Sequence, residues 1–170
     1  MDYVRRHKRE TVLLAPGPGE AIPKADLEKA AARLAERGAD LLTVPPQPEP
    51  GRPGLDSIAP ATLLVDASGV IRRLEPGRLL ASGDLVDFLA QWRLGRDVFL
   101  TACARCHGDD GALPSCMDVK PLAGIGNRLT HAQVYERLRP GDLGGGKVLV
   151  RGSFFTRQEI EAVVVFVRGL

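Results

Sequence analysis

The hydrophobic pattern of the chain changes period several times, and each change marks an element. Thr11-Val12-Leu13-Leu14-Ala15 is a short apolar run that predicts a buried strand. Residues 24–37 then place Leu27, Ala30, Ala31 and Leu34 on one helical face, with Pro23 suited to the first turn and Gly38 to the stop. Leu41-Leu42-Thr43-Val44 predicts a second strand, parallel to the first because a helix connects them. Residues 45–60 hold Pro45, Pro46, Pro48, Pro50 and Pro53 with Gly51 and Gly54, the composition of a loop. Thr62–Val65 and Val70–Leu74 flank the turn Asp66-Ala67-Ser68-Gly69 and predict a hairpin. Ser82 is expected to cap a helix carrying Leu85, Phe88, Leu89 and Trp92 on one face.

The period stays helical afterwards. Gly95, Val98 and Phe99 belong to an amphipathic helix that ends near residue 103. No flexible linker separates it from the helix before it, so a fixed or continuous-helix junction is expected near Trp92-Arg93-Leu94-Gly95. Thr130 and Gln133 form a capping box for a helix over 131–139 with Val134, Tyr135 and Leu138. Thr156 and Glu159 form another for a last helix over 157–168, whose Ile160, Val163, Val164 and Val167 make one apolar stripe. The pattern therefore divides the chain into an α/β unit, 9–92, and a helical unit, 93–170.

Composition narrows the function classes. Lys and Arg number 23 against 21 Asp and Glu, a balance that argues against a general nucleic-acid binder. No apolar run reaches the length of a membrane span, so no transmembrane segment is expected. Arg5, Arg6, Lys8 and Arg9 crowd the start without an apolar stretch behind them, so no signal peptide is visible and the cluster reads as a solvated tail. No catalytic triad, paired acid motif or nucleotide loop stands out; Gly17 and Gly19 complete no phosphate-binding fingerprint.

One string carries chemistry. Cys103-Ala104-Arg105-Cys106-His107 is C-x-x-C-H, the pattern of covalent c-type haem attachment. Two thiols three residues apart reach two vinyl groups, and the adjacent His107 projects an imidazole nitrogen at the iron. Three other readings compete. Zinc held by Cys103, Cys106, Cys116 and a histidine is disfavoured because neighbours such as Cys106 and His107 seldom aim at one small ion. A thioredoxin-type redox pair would open a helix, whereas this motif closes one. A Cys103–Cys106 disulfide would form a small strained ring.

With its flanks, the motif resembles the class I cytochrome c family. Gly95, Val98 and Phe99 precede it, Gly108 follows, and Pro121-Leu122-Ala123-Gly124 and the last helix lie downstream. The resemblance covers 93–170 and implies an all-α domain with one covalent haem c. Cys103 and Cys106 would hold the haem, His107 would be the proximal iron ligand, and Pro121 would make a proximal contact. It also implies crossed first and last helices, with close approach at Gly95 and with Phe99 and Phe166 in the core.

The family's distal methionine is missing. The loop before the last helix, Gly144 to Phe155, contains none, and the chain has only Met1 and Met117. By the resemblance, Met117 and Cys116 lie in the loop on the proximal side. Lys147 is a possible distal ligand if its amine loses its proton. His131 is a suitable ligand type but sits in the first turn of a helix, where a surface position is expected. The remaining option is an open or weakly ligated site lined by Val148, Leu149 or Val150, and that option is favoured.

The first half resembles the thioredoxin-like family. The order is β-α-β, long loop, β-hairpin and helix. The string from Pro60 to Ile71, PATLLVDASGVI, is similar to that family's segment around its cis-proline, which implies a cis bond before Pro60. Where the family carries its redox cysteines, after the first strand, this chain reads Pro16-Gly17-Pro18-Gly19-Glu20-Ala21-Ile22-Pro23. Without a thiolate there is no thiol–disulfide exchange, so the unit is expected to be redox-inactive.

Together the two resemblances imply a single-electron carrier whose thioredoxin-like unit docks it to a redox partner protein or respiratory complex. The alternative is a haem protein that binds or senses small ligands at an open distal site. Covalent haem attachment implies a periplasmic or otherwise extracytoplasmic location. That expectation requires that the start of the chain be truncated or misplaced.

Overall fold

The structure is a computed structural model. It describes residues 9–17, 19–44, 60–112, 120–138, 147–150 and 153–170. Among these residues it has mixed α/β content, with one four-stranded sheet, a two-stranded hairpin and six helices. The chain divides into two compact units, Met1–Leu89 and Ala90–Leu170.

In the first unit β1 (Thr11–Ala15) and β2 (Asp40–Thr43) are parallel, with Thr11 opposite Asp40, joined through α1 (Lys24–Ala35). Strand β3 (Ala61–Val65) runs antiparallel to β1, and β4 (Ile71–Pro76) antiparallel to β3, so the order is β2-β1-β3-β4. All five β3 residues are buried, so apart from Thr62 its sequence is apolar throughout rather than alternating. Thr62, also buried, accepts a hydrogen bond from Leu80 N at 3.1 Å and donates one to Arg78 O at 3.1 Å, so its hydroxyl is satisfied. Helix α1 follows Pro23, whose fixed φ suits the start, and ends where Gly38 takes φ +69°. The Ala59–Pro60 bond lies outside the described residues, because Ala59 does.

The turn between β3 and β4 is held by Asp66. Its carboxylate accepts from Ser68 N at 2.8 Å, Val70 N at 3.0 Å and Arg72 Nε at 2.6 Å. Burial pushes its pKa up, but the bonds from Ser68, Val70 and Arg72, with the charge of Arg72, outweigh burial and hold it below the usual 3.8.

Helix α2 (Ser82–Ala102) is unbroken for 21 residues, and the division between the units falls within it. Ser82 is its first helical residue rather than its cap, a one-residue difference at a helix end. No helix among the described residues is long and apolar enough to cross a membrane.

In the second unit α2 is followed by α3 (Ala104–His107), α4 (Ile125–Arg128), α5 (His131–Leu138) and α6 (Arg157–Val167). Both capping boxes form: Thr130 with Gln133, and Thr156 with Glu159. A Cβ on Gly95 would overlap the Ala162 carbonyl, so glycine permits the backbones of α2 and α6 to meet. Phe166 packs on Phe99 at 5.2 Å and on Trp92 at 5.5 Å between ring centroids, which centres the core on this crossing.

The expectation that the second half is all-α is corrected. Strands β5 (Lys147–Val150) and β6 (Ser153–Thr156) pair antiparallel, with Lys147 opposite Thr156, where a glycine-rich loop was expected. The physical reason lies in Val148-Leu149-Val150 and Phe154-Phe155, β-branched and aromatic runs separated by a short connection. The glycines at 144–146 precede this pair rather than define it.

Candidate functional site

Helix α2 ends at Ala102, and Cys103 starts a fresh turn with φ −112° and ψ −36°. The amides of Cys106 and His107 both donate to Cys103 O at 3.1 Å, so the five-residue motif is one compact helical turn. Gly108 stops it with φ +76°. Cys103 and His107 stand four residues apart and so share a face. Both line the same cavity. Cys106 is half-buried on the same turn, and it is not joined to Cys103 in a disulfide.

The cavity has a volume of about 400 Å³, within the range of small-molecule and cofactor sites. Pro121 and Leu122 form one wall and α4 another through Ile125. Val134 and Leu138 come from α5, and Val163 and Val167 from α6. The α6 residues belong to the apolar stripe visible in the sequence, whose Ile160 and Val164 are buried at 1% and 0% exposure. One stripe therefore serves both the core and the cavity.

Three cations, Lys120, Arg128 and Arg137, also line the cavity, and among the described residues no carboxylate does. Sequence reasoning missed all three. Arg137 had a signal: it follows Val134 by three residues on α5, the spacing of one helical face. Arg128 had none, because its place depends on the four-residue α4, where periodicity is too short to read. A Cβ on Gly126 would overlap the Arg168 carbonyl, so α4 sits directly against the end of α6.

The distal candidates separate by location. His131 Nε2 lies 2.7 Å from Glu161 Oε2, both side chains about two-fifths exposed, in a surface pair between α5 and α6. Lys147 begins β5, and its side chain lies outside what the structure describes. Cys116 and Met117 lie outside the described residues altogether. Among the described residues no three His, Cys, Asp or Glu side chains gather as a metal ion held by protein alone would need.

The donor set suits a different arrangement: one imidazole and two thiols on one turn, one of the thiols sharing an apolar cavity with the imidazole. A large flat apolar group with its own metal and with acidic substituents would match these walls, the thiols, the histidine and the three lining cations.

No protein-family model matches the chain, and neither the curated proteins nor the solved structures yield a significant match.

Proposed function

We propose that the chain is a c-type cytochrome carrying one covalent haem and acting in single-electron transfer. The observation that carries this reading is that Cys103 and His107 of C-x-x-C-H line one apolar cavity with Pro121. Cys103 and Cys106 would hold the haem by thioether bonds, and His107 would be its proximal ligand. When bound, the haem supplies a one-electron couple. The apolar side chains Leu122, Ile125, Leu129, Val134, Leu138, Val163 and Val167 would pack on the haem, and Lys120, Arg128 and Arg137 would offset its acidic substituents.

The first unit acts as a redox-inactive thioredoxin-like module that docks the haem unit to a redox partner protein or respiratory complex. The mixed strand order β2-β1-β3-β4 supports this reading. So does the approach of Gly17 to Pro60, where an added Cβ would meet the proline ring at 3.4 Å. The segment after β1 thus lies beside the proline, as redox cysteines would, but it contains no thiol. On this reading the protein would work in the periplasm or another extracytoplasmic compartment, where covalent haem attachment takes place. The absence of methionine from residues 118–170 favours one second reading, a small-ligand binder with an open distal site.

The deciding experiment is coexpression with a cytochrome c maturation system followed by acid–organic extraction. Haem stays with the unmutated chain and is lost when Cys103→Ala and Cys106→Ala are combined. Haem that extracts freely from the unmutated protein overturns the proposal.

A further inference from the structure

The Pro121–Ala123 wall of the cavity is held from two sides. Arg128 Nη2 donates to Pro121 O at 3.0 Å and to Ala123 O at 3.1 Å, so both hydrogens of one nitrogen span the segment. On the other side Leu122 N and Ala123 N both donate to Gly111 O, at 2.8 and 3.1 Å. Gly111 N in turn donates to Gly108 O at 3.2 Å, and Gly108 N to Ala104 O at 2.8 Å. A continuous hydrogen-bond path therefore runs from the turn that carries His107 to the segment that Arg128 grips. Arg128 is itself placed by α4, whose Gly126 sits against the Arg168 backbone.

We infer that Arg128 is a positioning residue that sets the Pro121–Ala123 wall in register with His107. This inference rests on the haem reading for its consequence, the orientation of the His107 imidazole that would hold the iron. Arginine suits the task because both bonds leave one charged NH2 group at the end of a long side chain, and the charge strengthens each bond. A glutamine amide also has two hydrogens on one nitrogen but is uncharged and shorter, and a lysine keeps the charge on a shorter stem.

The test uses the matured full chain, its Arg128→Gln and Arg128→Lys variants, and hydrogen exchange at the amides of Leu122 and Ala123. Val164 in α6 serves as an amide that reports global unfolding. In Arg128→Gln, exchange at Leu122 and Ala123 rises by about tenfold or more while Val164 stays unchanged. Electron paramagnetic resonance of the same ferric sample then shows altered g values, which follow the orientation and strength of the axial histidine. Arg128→Lys restores both readouts in part. Unchanged exchange at the two amides overturns the inference, even if the reduction potential moves, because the arginine would then act by charge alone. A uniform rise that includes Val164 also overturns it, since that is general destabilisation. Haem retention is measured on every sample. Loss of haem from the unmutated chain defeats the haem reading, whereas retained haem with unmoved amides defeats the role of Arg128.

Discussion

Gly95 on α2 faces Ala162 on α6 so closely that a Cβ at residue 95 would overlap the Ala162 carbonyl oxygen and press on Phe166 Cβ. Two backbones meet there without a side chain between them. The contact sets how α6 lies, and α6 supplies Val163 and Val167 to the cavity.

Gly95→Ala is expected to destabilise the second unit by at least the ~1–3 kcal/mol of an overpacked core, because the obstacle is backbone that cannot rotate away. Denaturant unfolding followed by near-ultraviolet circular dichroism measures the cost. A loss under about 0.5 kcal/mol would show that the helices separate easily.

Trp92 tests the same core from another side. It is 3% exposed, its ring packs on Phe166, and among the described residues its Nε1 finds no hydrogen-bond partner. Trp92→Phe removes a desolvated donor whose burial costs roughly 1–3 kcal/mol, against a similar loss from the smaller ring. The net change is expected within about 1 kcal/mol, well below the ~3–5 kcal/mol of Trp92→Ala. Equal losses in the two variants would mean that the indole N–H contributes as a hydrogen-bond donor.

Asp66 gives a pH dependence with a definite sign. Its folded-state pKa lies below 3.8, so its stabilising contribution is complete above that value and is lost as pH falls through the lower, folded-state value. Asp66→Asn keeps an acceptor for the turn amides but removes the charged partner of Arg72, at an expected cost of about 1–2 kcal/mol at neutral pH. The gap between wild type and variant should close as pH drops below about 3.8. A gap that persists into stronger acid would assign the effect to turn geometry instead.

If the chain carries haem as proposed, the absence of methionine from residues 118–170 bears on the iron's second ligand. On that proposal the ferric haem form is expected to lack the methionine–iron charge-transfer band, and the ferrous form to bind carbon monoxide readily. Lys147→Ala then divides the two remaining states. If the lysine binds iron, a low-spin spectrum becomes high-spin; if the site is open, little changes. A methionine–iron band that disappears in Met117→Ala would refute both.

Much of the structure was legible in residue order because it is set by local forces. The strand Thr11–Ala15, the helix ended by Gly38, the hairpin around Asp66 and both capping boxes each depend on a few adjacent residues. The turn that joins Cys103 to His107 is local too, which is why the motif alone could suggest its chemistry. The β5–β6 pairing departs from the expected loop because the β-branched and aromatic runs after the glycines at 144–146 pair with each other.

What only the tertiary structure decided concerns groups whose partners are remote in sequence. The pairing of His131 with Glu161 spans thirty residues. The cavity draws its walls from the motif, the Pro121 segment, α4, α5 and α6, which no single period of hydrophobicity joins. Arg128 is the clearest case. As sequence it is one arginine in a short polar stretch. In the fold it grips Pro121 and Ala123, because the close fit of Gly126 against Arg168 brings α4 to the edge of the cavity. Local propensity selects the elements, but only their mutual packing decides which side chains share a site.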